Sequence, residues 1–447
     1  MGIISLIFTS LFLIIILLAF VNTKWSITLF IAYSLLVPTV QIFIGSVSIG
    51  SKFMYILLSL ICLLKYQGQK KAVSFEYFKP FILLYALLAV EIFFQPSGLM
   101  ENNYSKLLDQ ILSCICYPMV IYSLISIERI SFKYFLYAIL ISGTIFVGYG
   151  LFLTTMPGVN PYLMVTLPLF GYEFNEAYAL GYSALSTSYG GLVEGRMFGR
   201  ISSVFPHPMT YGLNLGLFAI LLIYTFKEKT KIQVLLVAII FIAILTSGIR
   251  TPFLAFILTS IVALVYLKKT KYVIYALGAG ILFMSIVPMV SPEMNDFVNS
   301  MLGGEDSKTS GSSLSMRINQ FYGCFDIIKD DLLFGKGYTW TSVYMATNTT
   351  HPVLLCFESL IFTVLCNNGL VGALIWSMFL ISFYRMVKNM HVGISLQCMF
   401  LSLFVFYIFY SIITGDYGYL AYFMLYYAVA LGYLYNHTEG LVVYEKA

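Results

Sequence analysis

Charge is what this sequence has least of. Only 10% of its 447 residues are Asp, Glu, Lys or Arg, whereas a soluble domain carries about a quarter to cover its surface. That shortage excludes a soluble globular protein. Segments of about ten residues with alternating hydrophobicity are also missing, which excludes a transmembrane β-barrel. No basic patch with interleaved aromatics occurs, so nucleic-acid binding has no support. Cysteine is sparse, and its seven positions (62, 114, 116, 324, 356, 366, 398) have no zinc-like spacing. Most lie inside apolar runs and read as buried thiols. No internal repeat is visible.

Hydrophobic residues supply what charge does not, at 60% of the chain. They come in runs close to the ~20 residues that carry a helix across a bilayer. The N-terminus lacks the basic region and small-residue cleavage site of a signal peptide, and reads as a retained span. Spans are expected near 3–20, 25–45, 52–64, 80–95, 107–125, 134–156, 208–226, 232–247, 251–267, 272–290, 369–387, 393–413 and 417–435. The expected fold is an all-α, polytopic transmembrane helical bundle with two long loops, the second containing short helices. It divides into N-terminal spans (1–156), a first long segment (157–207), central spans (208–290), a large loop (291–368) and C-terminal spans (369–447).

Orientation follows from lysine. Lys65, Lys70, Lys71 and Lys79 share one loop; Arg129 and Lys133 the next but one; then Lys227, Lys229 and Lys231; Lys268, Lys269 and Lys271; and Arg385 with Lys388. Every second loop is basic, as cytoplasmic loops are. Both long segments are therefore expected to face outside. The arginines run against this pattern: Arg196, Arg200, Arg250 and Arg317, four of the six, fall on the outer side. A guanidinium is always charged and matches phosphate oxygens in a fork, so outward arginines suggest an anionic ligand there.

Four stretches carry the chemistry. Gly199-Arg200-Ile201-Ser202-Ser203-Val204-Phe205-Pro206-His207-Pro208 enters a span, and Ser247-Gly248-Ile249-Arg250-Thr251-Pro252 makes an outer turn. Met316-Arg317 leads through Asp331 to Leu332-Leu333-Phe334-Gly335-Lys336-Gly337. Thr350-His351-Pro352 is followed by Glu358 and Asn367-Asn368-Gly369-Leu370-Val371-Gly372. In this order and topology they resemble the O-antigen ligase and polymerase superfamily of bacterial envelope glycosyltransferases. The resemblance covers about residues 195–390, with leucine where the family has proline in the Leu332–Gly337 element.

The resemblance implies transfer of a glycan from an undecaprenyl diphosphate carrier to an acceptor hydroxyl, on the outer face of the inner membrane. Arg250 and Arg317 would grip the diphosphate with help from Arg200. His351 would be general base, in the histidine titration range, with Glu358 two helical turns on to orient it. His207 is a further candidate. Inverting transfer of this kind needs no metal or cofactor, and no Asp-x-Asp motif occurs. The expected partners are the lipid-linked glycan, membrane lipid and a chain-length regulator protein.

Plainer readings stand beside these. His351 could cap a helix, and His207 could pack at the mouth of its span. Asp330-Asp331 reads as a solvated turn, and Arg196 as a loop charge. Glu91 and Asp109, at outer ends of spans, are costly in apolar surroundings and so are site candidates or interfacial groups. The tyrosine and phenylalanine excess (35 and 38) reads mostly as packing and belt aromatics. The leading function is a polysaccharide (O-antigen or capsule repeat) polymerase. The close rival is the ligase onto lipid A–core, and the rival of another class is a lipid-linked oligosaccharide flippase. Transporters place charges at mid-span and repeat their spans; here the charges gather at one face.

Overall fold

The computed structural model describes residues 3–37, 42–44, 47–49, 61, 64, 75–127, 132–156, 160–166, 200–205, 207–226, 230–274, 278, 314–348, 351–416 and 418–444. The third span (52–64, save two residues), most of the tenth (272–290), Arg196 and most of both long segments' first halves lie outside the described residues.

The chain is an all-α polytopic membrane protein. Its helices are α1 (Ile3–Val21), α2 (Thr23–Leu36), α3 (Lys79–Ile92), α4 (Met100–Ile111), α5 (Tyr117–Ile127), α6 (Phe132–Leu153) and the short α7 (Pro161–Thr166). Then come α8 (Pro208–Thr225), α9 (Thr230–Thr246), α10 (Thr251–Tyr266), α11 (Leu314–Ile328), α12 (Trp340–Thr347), α13 (Leu360–Lys388), α14 (Ile394–Thr414) and α15 (Tyr419–Tyr444). Among the described residues, α6, α8, α13 and α14 are long and apolar enough to cross a membrane, and α9, α10 and parts of α1 and α15 are shorter apolar helices.

Two expected boundaries shift. The second span was expected to run to 45, but α2 ends at Leu36. Val37 precedes Pro38, which disfavours the α conformation at the residue before it. The chain instead forms a small antiparallel hairpin, β1 (Ile42–Ile44) with β2 (Val47–Ile49). The fifth span starts earlier than expected, since α4 and α5 are joined through a π turn at Leu112–Cys116.

Contacts between helix ends fall into two sets. At the end the charge pattern assigns outside, Ile201 N–H donates to Ser247 O (3.0 Å) and Tyr410 Oη to Met209 O (2.7 Å). At the other end, Gln397 Nε2 donates to Met390 O (2.8 Å) and Tyr427 Oη to Tyr77 O (2.7 Å). Between them lies an aromatic core. Phe383 stacks on Phe404 at 3.8 Å, Phe81, Phe379 and Phe423 close edge-on around the pair, and Tyr427 lies tilted against Phe383. Lipid tails give helices no hydrophobic reason to associate, so contacts of this kind, about 1 kcal/mol per pair, carry the packing.

The outer loop is built into this bundle by a broken helix. Within α13, Gly369 adopts φ 61°, ψ −152°, which interrupts the hydrogen-bond ladder. Backbone groups freed in an apolar setting must find partners. The Leu332–Gly337 element supplies them: Leu370 and Val371 N–H donate to Leu332 O and Leu333 O (3.1 and 3.0 Å). Lys336 and Gly337 N–H donate to Cys366 O and Asn367 O (both 2.9 Å). The two backbones approach so closely that a Cβ at Gly335 would lie 2.7 Å from Asn367 C, and one at Gly369 2.6 Å from Leu332 O. Each motif glycine makes room for the other strand's backbone.

Gly335→Ala adds that clash to a left-handed φ of 65°. It should destabilise the detergent-purified protein by about 3 kcal/mol. Gly393→Ala, where a Cβ meets nothing within 4 Å, should leave thermal unfolding unchanged. Equal midpoints for the two variants would contradict the interlock.

Candidate anion site at the outer ends of the helices

Arg200 and Arg250 belong to loops 50 positions apart, and the fold brings them together. Residues 200–205 are pinned by the Ile201–Ser247 bond and by Ser203, whose φ of 52° turns its Oγ to Phe146 O at 2.6 Å. Phe205 is fully buried against Phe146, Tyr211 and Tyr422. Opposite, Gly248 (φ 69°) closes the turn after α9, and Ser247 Oγ accepts Ile249 N–H at 3.3 Å. Arg250 then occupies the position before α10 without a side-chain capping bond, and Pro252 lies in the first turn, where a missing N–H is harmless. Beneath it a Cβ at Gly212 would meet Pro252 Cγ at 2.7 Å and Tyr410 Oη at 2.8 Å. Only glycine lets α8, α10 and α14 close up there.

The result is two half-buried guanidinium-bearing residues within electrostatic reach of each other. Burial first, then the charge of Arg200, disfavours the cationic form of Arg250. Arg200 also reaches His207 and Tyr410. Gathering like charges in partly dry surroundings is unfavourable by itself and suits an anion with two or more charges.

Arg317, expected beside Arg250, is held by other groups. It donates from Nη1 to Glu358 O (2.6 Å) and from Nη2 to Ile413 O (3.2 Å), with the Glu358 carboxylate 3.5 Å away. A cation at the carbonyl end of α14 is favourably placed. Ile413 lies three residues beyond Tyr410, less than one turn, so α14 links the Arg317 contact to the Arg200–Arg250 pair.

The histidines share one device. His207 caps α8, its Nδ1 accepting Met209 N–H at 3.2 Å. His351 Nδ1 accepts Val353 and Leu354 N–H at 3.2 and 3.0 Å. A neutral imidazole that accepts on Nδ1 carries its proton on Nε2 and is a donor there. The helix expected to open at His351 is not formed. Residues 351–355 fold back, with His351 N–H to Leu355 O at 2.8 Å and the reverse bond at 3.0 Å, and Leu355 and Phe357 take left-handed φ of 50° and 54°. Glu358 is therefore not on one helix face with His351; it pairs with Arg317, and the imidazole packs against Tyr344 and Phe357. Burial lowers the His351 pKa.

Glu91 is buried, and its partners explain why. Asn368 Nδ2 and Gln95 Nε2 donate to its two oxygens at 3.1 and 3.3 Å. Gln95 Oε1 accepts Tyr338 N–H (2.8 Å), and Asn103 Oδ1 accepts Thr339 N–H (2.9 Å). This network ties α3 and α4 to the helix break. Asp331 pairs with Lys336 at 2.8 Å while Asp330 is exposed. Asp109 is half-buried on α4.

One acid escaped the sequence reading. Asp416 follows α14, accepting Tyr407 Oη (3.0 Å) and Tyr419 N–H (2.8 Å). Burial raises its pKa, against the opposing effects of those bonds and of Lys106. The available signal was an acid alone between Gly415 and Gly418 in a short outer turn. Among the described residues, no three His, Cys, Asp or Glu side chains gather to hold a metal.

Fold and site together define a polytopic membrane protein in which two arginines come together at one end of the helices. Residues 235–377 match the family model described as O-antigen ligase. The match covers less than half of the chain and is a similarity to that family over these residues. It spans Arg250, Arg317, His351, Glu358 and the helix break, and leaves Arg200, His207 and Asp416 outside. No curated protein matches.

His207 gives a pH test. Burial, then Arg200, pushes its pKa from 6.5 to about 4. The unfolded chain takes up this proton near pH 6.5 and the folded one only near 4, so stability present above 6.5 is lost as pH falls through that window. His207→Asn keeps a capping acceptor and does not titrate. The acid-induced fall in thermal midpoint should therefore be shallower in this variant; an identical profile would contradict it.

Proposed function

We propose that this chain is a membrane glycosyltransferase that polymerises undecaprenyl-diphosphate-linked repeat units of an envelope polysaccharide, at the outer face of the bacterial inner membrane. The convergence of Arg200 and Arg250 carries this reading. A lipid diphosphate is the leaving group, its tail holds it at the membrane surface, and its charge grows as the glycosidic bond breaks. Preorganised guanidinium groups favour that developing charge over the ground state. Arg317, anchored on Glu358 and the end of α14, completes the cationic rim.

His351 has two roles open to it, and they differ at Nε2. In the geometry above Nε2 carries a proton and donates to a phosphoryl or hydroxyl oxygen. To act as the base on the acceptor hydroxyl, the ring must shift its proton to Nδ1 and release two backbone N–H groups. The description of the matching family favours the second reading of the whole chain, ligation of finished glycan onto lipid A–core.

Arg250→Lys should lose most glycan transfer at matched expression, because an ammonium cannot make two parallel bonds to a phosphate. His351→Ala should lower turnover by ~10²–10⁴-fold if the ring is the base; His351→Gln restores activity only if donation suffices. A deletion strain should carry single repeat units on the core lipid, whereas naked core would indicate ligase. Near-normal glycan with Arg250→Lys would remove the diphosphate role of Arg250.

A further inference from the structure

The outer loop has a small core of its own, apart from the membrane core. Cys324 of α11 and Cys366 of α13 lie in it, both fully buried, with Leu354, Phe357, Phe362 and Leu365 around them. Their thiols are neighbours in this core, and Cys324 Sγ donates to Gln320 O at 3.3 Å. The backbones on either side are fixed independently: Arg317, two turns before Cys324 on α11, holds Glu358 O at 2.6 Å, and Cys366 O accepts Lys336 N–H at 2.9 Å. Two neighbouring cysteines on anchored elements of one small core can reach disulfide geometry by side-chain rotation. The other cysteines differ. Cys114 and Cys398 are buried among the spans, and Cys356 is half-buried in the turn after His351.

Both sulfurs fall in the segment that the alternating basic loops assign to the outside. Extracytoplasmic thiol pairs are kept oxidised, whereas cytosolic ones are kept reduced.

We propose that Cys324 and Cys366 form a disulfide that staples α11 to the first half of α13. The inference rests on the outward placement of residues 291–368. The oxidant is the disulfide of an extracytoplasmic thiol–disulfide oxidoreductase. One cysteine thiolate attacks that disulfide and forms a mixed disulfide; the second displaces the oxidoreductase, which leaves as a dithiol carrying both electrons and the two cysteine protons. Because both sulfurs are inaccessible once the small core has closed, exchange precedes closure. The bond encloses the Leu332–Gly337 element, His351 and Glu358 in one covalent ring. It forms a second rung beside the Arg317–Glu358 contact, so it fixes the anchoring of Arg317.

The test uses the full chain from membranes, lysed into N-ethylmaleimide without reductant, denatured and digested. A Cys324–Cys366 linked peptide, lost on reduction and absent from Cys324→Ser, is expected, with Cys356 recovered alkylated. Recovery of both Cys324 and Cys366 as alkylated thiols would overturn the proposal. Wild-type protein should also unfold at a lower temperature after reduction, and equal midpoints would show that no staple exists. Neither readout depends on glycan transfer. Intact-cell labelling at Ser310→Cys and Gln69→Cys tests the topology separately, and labelling of Gln69→Cys alone would overturn the placement on which the disulfide rests.

Discussion

A helix broken in an apolar setting has to find new partners for the backbone groups it releases, and most of the outer architecture follows from how this chain meets that demand at Gly369. Two N–H groups and two carbonyls are exposed by the break, and a single six-residue element answers all four. The closeness needed for those bonds explains why Gly335 and Gly369 are glycine. It also explains the buried polar side chains around them. Glu91, Gln95, Asn103, Asn367 and Asn368 bond one another and the backbone of 334–341, which is how polar groups become tolerable inside a membrane protein. The loop that carries Arg317 and His351 is thereby built on rigid elements.

The arginine pair depends on a second close approach. Gly212 lets α8, α10 and α14 converge, and Arg200 then lies within electrostatic reach of both His207 and Arg250, at the first ends of α8 and α10. Three helix ends and one pinned loop therefore position the charges, and no single long side chain has to reach for the ligand. A site of this kind is suited to an anion delivered along the membrane surface.

Much of this was legible in the sequence. The all-α membrane class and the positions of most described helices follow from hydropathy, because that property is local. The four motifs were visible as well, but their partnership was not: Glu91 meets Asn368 across 277 residues, and nothing in either segment's spacing announces it. The hairpin at 42–49 was hidden because an apolar run reads alike as a helix or as two short strands. His351 was expected at a helix start, since His-Pro suits one. Two left-handed residues, Leu355 and Phe357, turn the chain back instead, and neither is glycine, so no signal marked them. Asp416 was missed because a lone acid in a short turn is ordinarily solvated; only the packing of Tyr407 and Tyr419 shows it enclosed.

The central claim is that Arg200 and Arg250 hold one anion together. A double-mutant cycle measures this directly, as the affinity of the purified protein for undecaprenyl diphosphate in wild type, Arg200→Ala, Arg250→Ala and the double variant. If both grip the same diphosphate, the single substitutions should each weaken binding by more than tenfold, and the double should fall well short of their product, since groups sharing one ligand couple by about 1 kcal/mol or more. Strictly multiplicative losses, or unchanged affinity in either single variant, would show that the two arginines do not form one site.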